Sequence, residues 1–224
     1  MKNIVYTIIS CFTLLGFLSC APTGSVGLKA DRLGINEVAF FPPISSISLI
    51  EKGNRQQFND SLTHISDSLQ SKVVLKHMDA ICITKIIHRN EGLDMHSLKK
   101  EIGKLFMVAN KEDDISKIPL PPMIDSILVA NNIQFGLLTL NIGFERTNTN
   151  AANQGLKAVG LALLTLGHYT QIPISTNSVF YALVVDAKKK SIVSFRKNSE
   201  GDPLDAALMA RKFSKMFKGY FFWS

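Results

Sequence analysis

The order of patterns along this chain predicts an α/β fold: a mixed sheet of about five strands with helices packed on it, ending in a β-hairpin followed by a helix. Three observations carry that expectation. Runs rich in β-branched residues alternate with amphipathic stretches of helical period. IQFGLLTLNIGF, residues 133–144, is apolar on both faces from Leu137 to Leu140, as a strand covered on two sides would be. SVFYALVVD and SIVSFR are joined by the short charged turn DAKKK, and a stretch with helix-start and helix-stop signals follows. The order is strand, helix, strand, helix, helix, strand, hairpin and helix, within one domain over residues 36–224.

Ahead of the domain stands an address. Lys2 is the only charge before Lys29, and an apolar stretch runs from Ile4 to about Leu18, then Ser19 and Cys20. A short positive start, an apolar run and a small residue before the cut predict a secretory signal over residues 1–19. The run is short of the ~20 apolar residues of an ordinary membrane-spanning helix. Leu18-Ser19-Cys20 resembles the lipobox of bacterial lipoproteins, with Phe17 a less usual residue three positions before the cysteine. That resemblance implies a diacylglycerol on the Cys20 thiol, a cut just before it and acylation of the new amino group. A plain signal with an incidental Cys20 is the alternative. Several acyl chains make a stable anchor, at about 0.8 kcal/mol per buried methylene. Ala21 rather than Asp follows the cysteine, and no acidic cluster comes after it. By the sorting rule of Gram-negative lipoproteins, this implies the outer membrane and a domain facing the periplasm. Residues 20–35 read as a lipidated tether, flexible for about ten residues and holding the domain roughly 15–20 Å from the membrane.

The full chain has 224 residues, a net charge of +7 and three cysteines. Losing residues 1–19 leaves about 205 residues at about +6, enough for one compact domain or two small ones. Cys11 leaves with the signal and Cys20 becomes a thioether, so Cys82 stands alone and no intrachain disulfide is expected. Within AICITKII, Cys82 reads as a buried small hydrophobe, with a catalytic thiol the other reading. The basic residues fall in separate patches, KHMDAICITK, SLKKEIGK, DAKKK and ARKFSKMFK. Such spacing in an exported protein argues against nucleic-acid binding and for a mild preference for anionic surfaces.

The elements follow in order. EVAFFPPI, Glu37 to Ile44, is a buried strand stopped by Pro42 and Pro43. Asn54 is placed to cap the next helix, whose apolar face would be Phe58, Leu62, Ile65, Leu69 and Val73. DAICITKII is the second strand. Leu98, Ile102, Leu105 and Phe106 mark a second helix, and KEDDISKIPLPP a solvated loop. PMIDSILVANN is a short helix with proline in its first turn and asparagines suited to a left-handed end. After the central strand and the hairpin, GDPLDAALMARKFSKMFKG would be capped by Asp202, with Pro203 first and Gly219 just past the end. Its stripe is Ala206, Met209, Ala210, Phe213, Met216 and Phe217. Arg211, Lys212, Lys215 and Lys218 lie off that stripe as a solvated face, near the negative end of the helix dipole.

One segment fits no ordinary element. From Gly155 to His168, AANQGLKAVGLALLTLGHYTQIP is apolar almost all round, Lys157 and Thr165 excepted. As a helix it would be about 21 Å long, short of a ~30 Å hydrocarbon core. Segment 155–168 therefore reads as core, as an apolar patch for a partner, or as a piece that dips into the membrane after assembly.

Chemistry is sparse. GxSxG, HExxH and CxxC are absent, and GLKAVGL lacks the lysine and hydroxyl of a phosphate loop. His88 and His96 bracket HRNEGLDMH with Glu91 and Asp94 between them, at a spacing that matches no metal-ligand pattern. Glu112, Asp113 and Asp114 read as solvated loop acids, and Asp186 as the residue that opens a turn. Glu145, Arg146 and Asn148 should emerge together at one end of the sheet. Neither a catalytic residue, a metal site nor a cofactor is assigned.

The succession EVAFFPPI, amphipathic helix, IQFGLLTLNIGF, VFYALVVDAKKKSIVSF and final helix resembles the curli-export (CsgG-like) and TolB amino-terminal type of envelope domain. There the hairpin turns at D-x-x-x-G; here Asp186 matches and Lys190 stands near the glycine. IDSILVANN, GFERTNTN, LLTLGHYTQIP and DPLD resemble Bacteroidetes-type envelope lipoproteins. These resemblances imply a non-enzymatic, lipid-anchored protein whose domain binds or scaffolds another envelope component, since similar domains recruit or activate larger machines. Two alternatives are a membrane-active lipoprotein that inserts residues 155–168, and an envelope hydrolase with a site near Glu145.

Overall fold

The computed structural model describes residues 25–27, 34–88, 94–154, 157, 174–199 and 201–218. Residues 1–19, Cys20 and, apart from Lys157, segment 155–168 lie outside them. In chain order the elements are β1 (Ser25–Gly27), β2 (Val38–Phe40), β3 (Ile44–Ile50), β4 (Gln56–Phe58), α1 (Asp60–Lys76), β5 (Ile83–Ile86), α2 (Met95–Ala109) and α3 (Pro122–Ala130). Then come β6 (Phe135–Arg146), helical residues 148–154 (α4), β7 (Thr176–Asp186), β8 (Ser191–Ser199) and α5 (Ala206–Phe217).

β6 is the spine of one mixed sheet. β7 runs antiparallel to it from Phe135 opposite Asp186 to Glu145 opposite Thr176. β8 is antiparallel to β7, and β1 closes that side antiparallel to β8. Two parallel strands share the other side of β6: β2 lies against Phe135–Leu137 and β3 against Leu140–Arg146. Pro42 and Pro43 fall between them. Lacking N–H groups, they cannot continue the ladder, so the last bond before the gap is from Phe41 N–H to the Leu137 carbonyl, 3.0 Å. β5 is parallel outside β2, and β4 antiparallel outside β3.

The expected mixed sheet, terminal hairpin and closing helix are all present. Among the described residues the sheet holds eight strands instead of about five. β1, β3 and β4 are the additions. β1 and β4 are three-residue strands, and serines interrupt the apolar pattern of β3, ISSISLI. β1 also falls inside the span read as tether, so only Ala21–Gly24 separates Cys20 from the sheet.

Side chains alternate across the sheet and fill two cores. Ala39, Phe41, Leu138, Leu183 and Val185 pack under α2 and α3. Val38, Phe40, Leu137, Ala182 and Val184 face the opposite way, under Val73 and Val74 of α1 and Met209, Phe213 and Phe217 of α5. The molecule is therefore three layers, with two helices on either face of the sheet.

Four local expectations are corrected. α1 is capped by Asn59, whose Oδ1 accepts from Leu62 N–H at 3.0 Å; Asn54 sits earlier with φ 60°. The buried face of α1 keeps only part of the apolar stripe: Val73 is buried and Leu69 packs on the core, but Ile65 is exposed, as is Phe58 of β4, while Thr63, Ser66, Asp67 and Gln70 are buried. α5 is capped by Asp205, which accepts from Ala207 and Leu208 N–H groups; Asp202 instead accepts from Leu204 N–H in the preceding turn. Lys212 is not part of a solvated face. It is 5% exposed, and its ammonium donates to Ser178 Oγ at 2.8 Å.

Candidate functional site

The double proline that splits β2 from β3 also makes a notch in the sheet. β2 and β5 are parallel and end together at Phe40 and Ile86, and the chain leaves β2 through Phe41, Pro42 and Pro43. α1 crosses above. Between them opens a cavity of about 390 Å³, lined by Phe40, Phe41, Pro42, Pro43, Ile86, Ile87 and His88 from the strand ends and by His64, Asp67, Ser68, Ser71 and Leu75 from α1. The crevice outside the carboxyl ends of parallel strands is where open α/β sheets take ligands.

A buried polar layer holds α1 over this notch. Ser45 Oγ donates to Ser66 Oγ at 2.9 Å, and Ile47 N–H to Thr63 Oγ1 at 3.1 Å. The Gln70 amide donates to the Ile44 carbonyl and to Ser45 Oγ. From β6, the Asn141 amide reaches Ser66 Oγ at 2.9 Å and the Pro203 carbonyl at 3.3 Å. Bonds of this kind need defined geometry, so they set how α1 lies on β3 more sharply than apolar contact would. Asp67, also buried, meets Lys99 of α2 at 3.6 Å. Because α1 and α2 cover opposite faces of the sheet, that pair links the two helical layers. What the notch offers a ligand is an aromatic and prolyl floor, with imidazoles and hydroxyls along its rim.

The singled-out residues fall elsewhere. Cys82 is half-buried with φ 57°, and its carbonyl accepts from Val38 N–H at 2.8 Å, a structural position beside β2. His88 lines the notch with His64, not with His96, which is exposed on α2 beyond Asp94. Asp94 caps α2, accepting from His96 and Ser97 N–H groups, and the hydrogen bonds from Ser97 hold its carboxyl below the ordinary carboxylate range. Glu91 lies outside the described residues. Among the described residues, no three His, Cys, Asp or Glu side chains group as metal ligands. Glu112 and Asp113 are exposed, and Asp114 caps a short turn through Ser116. Asp186 opens the hairpin turn by accepting from Lys188 and Lys189 N–H groups, and it also holds the Gln134 amide at 2.9 Å.

Glu145 and Arg146 emerge at the far end of β6, but they do different things. Burial lifts the Glu145 carboxyl above its ordinary value, and the negative charge of Asp202 lifts it further. The Arg146 guanidinium donates to the Ile174 carbonyl, Asn54 Oδ1 and Asn150 Oδ1. Asn54 Oδ1 also accepts from Asn150 and Gln154. This polar clamp pins β6 and α4 to the β3–β4 turn at the point where the chain enters 155–168. Asn148 is exposed beside it.

The residues that pattern-reading missed are His64, Asp67, Ser68 and Ser71. Their signal was available as a polar face of α1: His64, Asp67, Ser68 and Ser71 fall at the i, i+3, i+4, i+7 spacing of one helix side.

No family model and no curated protein matches the chain. Among solved structures it is similar to the PelC dodecamer from Paraburkholderia phytofirmans, at 8% identity, a TM-score of 0.38 and coverage of 90% of this chain and 99% of that one. A methionine variant of the same dodecamer gives 8% identity, a TM-score of 0.39 and the same coverage. At those values the likeness assigns no function. Among the described residues, no helix is long and apolar enough to cross a membrane.

Proposed function

We propose that this protein is a lipid-anchored component of the outer membrane, held through Cys20, whose periplasmic domain binds or scaffolds another envelope component without acting on it as an enzyme. The observation that carries the anchor is Leu18-Ser19-Cys20 at the end of an apolar run. The notch beneath α1 supports the binding role. It is a concave, largely apolar site with a few polar groups at its rim, the usual character of a ligand pocket. Its α1 wall is fixed to β3 and β6 by the buried polar layer, so little ordering of that wall would be lost on binding.

Two measurements test this. The amino-terminal peptide of the protein isolated from membranes should begin at Cys20 and carry diacylglycerol and acyl mass; an unmodified Cys20 would remove the anchor. A photo-crosslinking side chain in place of Ser68 should give one discrete adduct with an envelope protein, and Leu75→Asp in the same notch should abolish it. An adduct indifferent to Leu75→Asp would move the binding surface elsewhere.

A further inference from the structure

The strand register says at which end of β8 the first described strand begins. β1 is antiparallel to β8, with Ser25 opposite Arg196, Val26 opposite Phe195 and Gly27 opposite Ser194. The N-terminal end of β1 therefore lies on the Lys197, Asn198 and Ser199 side of β8. Cys20 is five residues before Ser25, which is at most about 17 Å of extended chain.

At that end of β8 lies a second cavity, of about 440 Å³, between the strand and α5. Asn198, Ser199 and Gly201 form one side, and Arg211, Lys212 and Lys215 the other. Arg211 and Lys215 are exposed, one helical turn apart, and form no ion pair with another described residue. Lys212 is the buried one, holding α5 to Ser178. Among the described residues no carboxylate lines the cavity. The nearby Asp205 accepts hydrogen bonds from two backbone amides at the start of α5, and Glu200 lies outside the described residues. A guanidinium, an exposed ammonium, a serine hydroxyl and an asparagine amide around one hollow are the groups that hold a phosphate monoanion or diester.

Position decides which phosphate. We infer that this cavity takes the phosphate of an anionic lipid headgroup in the membrane that carries the Cys20 anchor, fixing the domain's orientation with the β8–α5 end down and the α1 notch free. The inference rests on the lipid-anchor reading above. Basic side chains close to an anionic surface each add to binding, and the anchor keeps that surface within reach at all times, so even weak headgroup affinity would be expressed.

The test uses the protein purified from membranes in a neutral detergent and counts bound phosphatidylglycerol or phosphatidylcholine by native mass spectrometry. The wild-type protein should retain phosphatidylglycerol about tenfold better than phosphatidylcholine. Arg211→Gln with Lys215→Gln, both on exposed positions, should level the two lipids while circular dichroism is unchanged. Lys188→Gln with Lys189→Gln removes the same charge at the opposite end of the hairpin and should keep the preference. Equal retention in the wild type, or equal loss from the hairpin-turn pair, overturns the assignment. Displacement of the lipid by excess inorganic phosphate would show a site for the free anion and overturn it too. The same spectra weigh the acyl groups on Cys20, so an unlipidated protein that still prefers phosphatidylglycerol would separate failure of the anchor from failure of the cavity.

Discussion

Glu145 shows how a single residue's setting departs from its sequence. Arg146, its neighbour in the chain, gives its hydrogen bonds to a carbonyl and two asparagines. Glu145 is left with partial burial and the like charge of Asp202, and its carboxyl is raised. A carboxyl raised in the folded state binds its proton more tightly there than in the unfolded chain. Its contribution therefore favours folding at low pH and is lost as pH climbs through the ordinary glutamate value towards the raised one. Glu145→Gln should accordingly raise Tm at pH 7, and the gain should vanish as pH falls below about 4. Thermal melts of both proteins across that range check it; a gain independent of pH would mean the carboxylate charge is not the cause. Lys190 shows the converse, a setting that the hairpin resemblance already marked. It stands near the glycine of D-x-x-x-G and has φ 52°, the left-handed conformation in which glycine is favoured. Its ammonium meets Asp125 at 2.9 Å.

Among the elements, α1 is the one whose face was misassigned, and the physical reason is β3. A helix buries whichever stripe its partner strand can satisfy. ISSISLI presents Ser45 and the backbone of Ile44 and Ile47 to α1, and these need hydrogen bonds more than they need methyl groups. The polar stripe therefore turns inward, while Phe58 and Ile65 stay in water at 58% and 48% exposure. The two stripes should respond oppositely to substitution. Gln70→Leu removes the amide donor to the Ile44 carbonyl and leaves Ser45 Oγ with its bond to Ser66 alone, and it should cost roughly 2 kcal/mol, the penalty for a buried polar group that loses its partner. Ile65→Gln should stay within about 0.5 kcal/mol, as surface changes do. Urea denaturation measures both, and a larger loss from Ile65→Gln would reverse the orientation given to α1. By contrast α2 and α3 match their periodicity, because Leu98, Ile102, Leu105, Phe106, Ile124 and Leu128 meet an entirely apolar sheet face.

For the whole molecule the consequence is unequal stability. β6 and β7 are paired on both edges and covered on both faces, whereas β1 and β4 are three-residue strands at opposite margins of the sheet. Local opening scales with burial and pairing. Amides of Leu137–Leu140 and Ala182–Val184 should exchange last in hydrogen–deuterium exchange, and those of Gln56–Phe58 first among the strands; central strands that exchange as fast as β4 would contradict the layered core. The same arrangement places the two cavities in different parts of the sheet. One lies at the ends of β2 and β5, the other between β8 and α5.

Strands β2, β5, β6, β7 and β8, helices α1, α2, α3 and α5, the hairpin and the α/β class were legible from residue order, because periodicity and turn chemistry act over a few neighbouring residues, whereas β1, β3, β4 and α4 were not. The lipid attachment expected at Cys20 rests on local signals of the same kind and lies outside the described residues. The notch was not legible, since it depends on Pro42 and Pro43 interrupting the ladder against a strand about a hundred residues away in sequence. Nor was the inward turn of Thr63, Ser66 and Gln70, or the burial of Lys212, because a stripe's partner is chosen by what the opposing surface leaves unsatisfied. Local patterns specify which segments can bury a face; which face is buried, and what gathers at the ends of the strands, follows from hydrogen bonds and packing between residues that meet only when the sheet is assembled.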